Sequence, residues 1–163
     1  MPRAVEQFSA FGHPEVTATH RTTFEITAEQ HLSSSGNCII AVRSEKGAVD
    51  LSDQFRELIR SPGCRLITEL RCRDVEVTVT SSGSPNLLLD HQTDMVWRRS
   101  SFTCGRTIGL YSDYTAGMLP RELITLLKLG ERLDITLIAE LDPYPNENPE
   151  PCILPGLNLL IKE

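Results

Sequence analysis

The chain has 163 residues, of which 40% are hydrophobic and 23% are charged, and its formal net charge is −6. This composition is typical of a globular protein and excludes a disordered chain, and the length fits one domain over residues 1–163. The acidic balance argues against nucleic-acid binding, because a broad phosphate-binding face usually gives a basic domain.

The N-terminal segment contains no apolar stretch followed by a small-residue cleavage site, so it does not read as a signal peptide. No apolar run approaches the roughly 20 residues that a membrane-spanning helix needs. The five cysteines are odd in number and form no C-x-x-C pair, which is typical of reduced thiols. We therefore expect a cytoplasmic protein with no membrane segment.

The first half of the chain predicts two strands, a helix and further strands, in that order. Residues 16–27 alternate between apolar and polar side chains, as a strand with one buried face does. A short β-branched run covers 38–42, and an apolar stripe predicts a helix over 53–60 that ends before Pro and Gly. Strands are predicted at 65–70 and 72–80.

The second half predicts the same order of elements. Residues 87–98 alternate like 16–27, and a short strand follows at 107–111. A helix is predicted over 120–128, with proline in its first turn, and a strand over 134–141. The tail contains five prolines and three acidic residues between positions 142 and 155, and predicts a loop before a last apolar strand at 157–161.

Three segments of the first half recur in the second half at offsets of 71, 68 and 71 residues. The offset changes only where loops are expected, as in an internal duplication. We expect repeat 1 at about 13–80, repeat 2 at about 84–141 and a Pro-rich C-terminal extension at 142–163. The predicted fold is mixed α+β and β-rich, with two pseudo-twofold-related β-β-α-β repeats. These form either a small barrel-like sheet or a sandwich with two helices.

The segments Gly12-His13-Pro14, 18–26, 90–95 and Arg106-Thr107 resemble those of an archaeal family known as a domain of unknown function (number 371). The paired His-x-Thr segments carry most of this resemblance, which spans residues 11 to about 141. It implies an archaeal, cytoplasmic protein whose activity is not established, and it supplies no catalytic residues.

Polar residues interrupt the apolar faces of the two long predicted strands, at His20 and Thr22 and again at His91 and Thr93. Buried polar groups cost about 1–3 kcal/mol each unless they are hydrogen-bonded. Three interpretations stay open: the histidines bond their own neighbours in the core, both pairs line one ligand cavity, or the two histidines bind a metal. Because zinc takes three or four protein ligands, we expect no metal, and no sequence feature indicates a cofactor.

Arg106 is predicted to point inward, because counting by twos from Ile108 places it on the buried side of a strand. An inward arginine needs an anion, which is Asp94, Asp90, or the phosphate or carboxylate of a ligand. Arginine outnumbers lysine thirteen to three, which also leaves a small anion site open.

Catalytic candidates are present without a recognisable catalytic arrangement, so whether the protein is an enzyme stays open. His20 or His91 would serve as a general base near neutral pH, and Cys104 as a nucleophile if a histidine lies close. The hydrolase, zinc-peptidase, P-loop and dinucleotide-binding motifs are all missing from the sequence.

The sequence favours a domain that binds a small anionic ligand, or an enzyme acting on one, with the site between the repeats. The alternatives are a protein-interaction module and, less favoured, a nucleic-acid binder that uses arginines on the strands. The oligomeric state is not predicted. The candidate ligand-binding residues are His20, Thr22, His91, Thr93, Asp94 and Arg106.

Overall fold

The computed structural model describes residues 2–32 and 36–141, and this part of the chain contains eight strands and two α-helices. A single turn of 3₁₀-helix precedes each α-helix, at Ala48–Asp50 and Ala116–Met118. The elements are β1 (Arg3–Phe11), β2 (Thr23–Thr27), β3 (Ile39–Ala41), α1 (Asp53–Ile59), β4 (Cys64–Cys72), β5 (Val75–Ser82), β6 (Asp94–Arg98), β7 (Thr107–Gly109), α2 (Arg121–Lys128) and β8 (Arg132–Leu141).

The strands form two four-stranded sheets. The first sheet has the order β1-β8-β4-β5 and is antiparallel throughout. The second has the order β3-β2-β6-β7, in which the central pair is antiparallel and the two outer pairs are parallel. The fold is therefore mixed α+β and rich in strands, as the sequence predicts.

Of the two predicted arrangements, the barrel-like sheet and the sandwich, the barrel is wrong in that the described part of the chain forms two sheets and no closed barrel. At each edge only one isolated bridge joins the two sheets, Phe11 to Val42 and Ser82 to Leu110. Directly after each bridge, at Arg43 and Tyr111, the backbone is left-handed with φ of 53° and 52°, which interrupts extended pairing with the first sheet. No ladder forms beyond these points, so the strands stay in two sheets.

The order of elements in β1–β4 is the same as in β5–β8, and we call these segments the first and second halves. Each half places two strands in each sheet, and its helix lies between its third and fourth strands. The innermost strands of the first sheet, β8 and β4, come from different halves, so the halves are interlocked. The helix at 53–59 thus has a counterpart at 121–128, as predicted.

The two long alternating strands are shorter than predicted, since only 23–27 and 94–98 are strand. The residues before each strand form a turn that passes through left-handed backbone, at Ala18 (φ 50°) and Leu89 (φ 53°). A residue with a side chain rarely adopts this conformation, so the sequence carries no sign of the turn. Strand β1 at the N-terminus was not predicted at all.

The core lies between the sheets and under the helices. The rings of Phe24 and Trp97 stack with their centroids 4.4 Å apart, and the Trp97 indole N–H donates to the Thr68 hydroxyl across the core at 2.8 Å. Helix α1 buries Phe55 and Ile59, two of the three residues of its predicted stripe. Helix α2 likewise buries its apolar face, at Leu123, Ile124 and Leu127.

Strand β2 is buried on both faces, which places polar groups inside the molecule. Phe24 and Ile26 belong to the apolar core, while Thr23, Glu25 and Thr27 alternate with them and are at most 5% exposed. We call the side of the second sheet that carries these polar residues its polar face. It positions the candidate site.

Two further expectations concern cysteines and membranes. The four described cysteines, Cys38, Cys64, Cys72 and Cys104, are free thiols, whereas Cys152, the Pro-rich segment and the strand predicted at 157–161 lie outside the described residues. Within 2–32 and 36–141, neither helix has the length and hydrophobicity that crossing a membrane requires.

Candidate functional site

A cavity of about 410 Å³ opens on the polar face of the second sheet, and we call it the polar cavity. Its walls come from β2 and β6, from the turn before β2, and from the segments that lead into β3 and β7. Both halves of the chain therefore contribute to it. The lining residues are His20, Thr22, Thr23, Glu25, Cys38, Val96, Arg98 and Arg106.

His20 lies in the turn that leads into β2 and is half-buried, not on the core face as predicted. Its Nδ1 accepts hydrogen bonds from the backbone N–H groups of Thr22 (3.2 Å) and Thr23 (3.1 Å). Because Nδ1 is an acceptor, the ring proton of neutral His20 is on Nε2. The backbone carbonyl of His20 accepts from Gly117 at 2.9 Å, which ties the turn to the second half.

His91 makes the same turn in the second half, but it does not line the polar cavity. Its Nδ1 accepts from the backbone N–H groups of Thr93 (3.3 Å) and Asp94 (2.9 Å), and its carbonyl accepts from Val49. His91 and Thr93 are also half-buried, not on the core face. The structure thus gives both His-x-Thr segments the same local geometry and places only His20 and Thr22 at this cavity.

The prediction that Arg106 points inward is wrong, since 45% of its side chain is exposed. It precedes β7, so period-two counting from Ile108 does not extend to it. Its Nη1 donates to Glu25 Oε1 at 3.2 Å and to Asp94 Oδ2 at 3.4 Å. Asp94 was one of the partners considered from the sequence. Asp90, the other carboxylate considered from the sequence, donates its backbone N–H to the Gly105 carbonyl.

The sequence reasoning did not identify two charged residues of this site, Glu25 and Arg98, of which Glu25 is the more deeply buried. It is 4% exposed and lines the polar cavity. Burial, and next the nearby Asp94 carboxylate, raise the pKa of Glu25 to about 7, and the Arg106 guanidinium only partly offsets this. The alternation of β2 places Glu25 on the face opposite Phe24. In a strand with one buried face, that opposite face would be exposed to solvent.

Asp94 keeps its charge more easily than Glu25. Burial opposes ionisation, but the hydroxyls of Thr27 (2.7 Å) and Thr93 (2.9 Å) both donate to Oδ1, so the pKa of Asp94 is lowered. His91 Nε2 lies 3.8 Å from Asp94 Oδ2. Asp94 therefore links the second His-x-Thr segment to Arg106, although it is not itself a lining residue.

Arg98 supplies a second guanidinium and is only 8% exposed. Its Nε donates to the Thr107 hydroxyl at 2.9 Å and its Nη2 to Cys104 Sγ at 3.3 Å. Burial would raise the pKa of Cys104, but the Thr107 hydrogen bond, the Arg106 backbone N–H and Arg98 outweigh it and lower that pKa to about 7. In contrast, burial and Glu25 raise the pKa of Cys38 to about 11.

Two other chemistries find little support in the described residues. Within 2–32 and 36–141, no three His, Cys, Asp or Glu side chains are grouped as a metal site requires. Five arginines were considered for nucleic acid, Arg65, Arg71 and Arg73 with Arg98 and Arg99, and the first three are each paired with an acid, which interrupts a continuous basic surface there. These pairs are Arg65–Glu140, Arg71–Glu76 and Arg73–Glu131.

The sequence model of the family called domain of unknown function 371 (DUF371) matches residues 8–140. The chain belongs to the DUF371 family. It is also 37% identical over 130 residues to an uncharacterized protein of the archaeon Methanocaldococcus jannaschii, which covers 80% of this chain and 96% of that protein. All residues that line the polar cavity fall within the DUF371 match. The resemblance predicted from the His-x-Thr segments is confirmed.

Proposed function

We propose that this DUF371 protein binds a small anionic ligand in the polar cavity, between the two halves of the chain. One observation carries the proposal: two guanidinium groups, from Arg98 and Arg106, and the imidazole of His20 line one cavity. Arginine presents planar, paired donors that match carboxylate and phosphate groups. A volume of about 410 Å³ lies in the range of sites for small molecules.

Within the described part of the chain, Arg106 and His20 each have a side-chain donor that the hydrogen bonds given above do not use. Both carboxylate contacts of Arg106 involve Nη1, so its Nε and Nη2 are not spent on them. The Nδ1 of His20 is held by the turn, which leaves the Nε2 proton as the donor that this side chain offers a ligand. Thr22 adds a hydroxyl beside it.

We also propose that the two halves arose by duplication of one ancestral unit. In support, corresponding turns contain Ala18 and Leu89 in left-handed backbone, 71 residues apart. The halves differ at the cavity, where Glu25 lies beside its counterpart Val96 on the paired strand. Cys38 similarly corresponds to Arg106 at the 68-residue offset. This divergence would leave one charged site on the pseudo-twofold axis instead of two equivalent sites.

Thermal unfolding with added phosphate or acetate tests the proposed function. A ligand at ten times its Kd stabilises the folded state by about 1.4 kcal/mol, or roughly 3–6 °C for a domain of this size. At pH 6 we expect one of the two anions to raise the unfolding midpoint of the natural protein, and Arg106→Leu to abolish the rise.

Arg71→Leu is the matched control, since Arg71 is 64% exposed on the first sheet and pairs with the exposed Glu76. This variant should keep the full anion-induced rise. The proposed function is wrong if neither anion shifts the natural protein, or if Arg106→Leu responds as strongly as Arg71→Leu.

A further inference from the structure

Glu25 conflicts with a site that would accept any anion. Glu25 is 4% exposed and lines the same cavity as His20 and Arg106. When Glu25 is ionised, a simple anion that enters the cavity faces a negative charge at short range. The charge of Arg106 is already shared between Glu25 and Asp94, so it cannot fully offset that repulsion.

The hydrogen bonding of Glu25 is incomplete for a buried carboxylate. Among the described residues, Oε1 accepts from Arg106 at 3.2 Å, whereas the donor to Oε2 is the Cys38 thiol at 3.7 Å. A thiol is a weak donor. Asp94, in the same cluster, receives two hydroxyl donors on Oδ1 alone. Oε2 of Glu25 therefore has capacity for one strong donor, and the cavity is where a ligand would supply it.

The other charged and titratable groups at the site set the balance of charge around Glu25. They come from β6, from the turn before β2, and from the segments leading into β3 and β7. Ionisation of Glu25 adds a second carboxylate, beside that of Asp94, to the groups around Arg106. The groups around Glu25 are Asp94 and Arg98 on β6, His20 in the turn before β2, Cys38 before β3, and Cys104 and Arg106 before β7.

Resting on the proposed anion site, we infer that the ligand is a small acid with a hydrogen-bond donor next to its anionic group, as in an α-hydroxy or α-amino acid. The anionic group pairs with Arg106 and His20, and the neighbouring hydroxyl or ammonium donates to Glu25. This arrangement satisfies the buried carboxylate and gives Glu25 a role in selecting the ligand.

A simple carboxylate differs from such an acid in its pH dependence. It has no donor for Glu25, so it binds well only when Glu25 carries a proton. Because the pKa of Glu25 is about 7, the affinity for a simple carboxylate should fall up to about tenfold per pH unit above 7. A hydroxy acid brings its own donor and should lose much less.

Titration calorimetry with acetate and glycolate, which differ by one hydroxyl, tests the inference at pH 6 and pH 8.5. At pH 8.5 we expect glycolate to bind the natural protein at least about tenfold more tightly than acetate, as a hydrogen bond to a charged group provides. At pH 6 the difference should shrink to about threefold or less, because protonated Glu25 no longer needs an outside donor.

Glu25→Gln should make acetate binding nearly independent of pH and remove the advantage of glycolate. Glu76→Gln, the same change at a carboxylate 68% exposed on the first sheet, should behave like the natural protein. Equal affinities for both acids at pH 8.5, or a glycolate advantage that survives in Glu25→Gln, would overturn this inference and leave the anion site intact. Failure of both acids and of phosphate to bind at either pH would overturn the proposed function itself.

Discussion

The stability of this protein should depend on pH through Glu25, and Glu25→Gln isolates that dependence. The raised pKa means that native Glu25 keeps its proton up to about pH 7, whereas in the unfolded chain it ionises near pH 4.5. Between these values folding is linked to proton binding, so stability falls as pH rises, by about 1.4 kcal/mol per unit. Glutamine cannot ionise and lacks this dependence.

From pH 5 to pH 7 the natural protein should therefore lose about 2–3 kcal/mol of unfolding free energy relative to Glu25→Gln, and little more above pH 7. Urea unfolding at pH 5, 6, 7 and 8 measures the difference, and histidine titrations largely cancel because both proteins contain them. Glu76→Gln, at an exposed carboxylate, should show no such trend. A constant difference between the natural protein and Glu25→Gln across this range would refute the proton-binding account of Glu25.

Three further predictions concern the Thr68 hydroxyl, the reactivity of two cysteines and the number of free thiols. Thr68→Val should cost about 1–3 kcal/mol of unfolding free energy, because it leaves the buried Trp97 indole N–H without its acceptor; a loss no larger than that of Val at exposed Thr78 contradicts this. Iodoacetamide at pH 7.5 should label Cys104 well before Cys38 in peptide mapping, because their pKa values are about 7 and about 11, and the reverse order rules the reasoning out. All five thiols should titrate in the denatured protein without reductant, whereas a count of three would reveal a disulfide.

The two helices and strands β4 and β8 were predictable because their side chains repeat with the period of the backbone. The stripe of α1 and the apolar positions of β4 and β8 follow these periods closely. Strand β1 escaped prediction because Glu6 occupies one of its inward positions, where it is 5% exposed and pairs with Lys46 at 2.6 Å. A charge at that position hides the apolar alternation on either side.

The turns before β2 and β6 could not be predicted, for a different physical reason. Left-handed backbone is usually signalled by glycine or asparagine, but here it occurs at Ala18 and Leu89. Tertiary contacts hold these turns. For example, Arg121 donates to the Ala18 carbonyl at 3.2 Å, and Arg60 donates to the Leu87 carbonyl at 2.8 Å. Contacts so distant in sequence leave no local pattern.

The candidate site was predicted in part. The sequence drew attention to His20, Thr22 and Arg106, which the structure brings to one cavity. It did not identify Glu25 or Arg98, because both lie on a strand face that one-sided alternation assigns to solvent. Burial of both faces depends on what covers the sheet, and that information is not local to the strand.

The proton and nitrogen NMR chemical shifts of the His20 and His91 imidazoles test the anion site most directly. His20 lines the polar cavity and His91, in the same turn geometry, does not. Titration with glycolate at pH 7.5 should move the Nε2 and ring-proton signals of His20 to saturation, while those of His91 shift far less. His20 signals that stay unchanged with both glycolate and phosphate, or equal shifts at both histidines, would contradict a single anion site in this cavity.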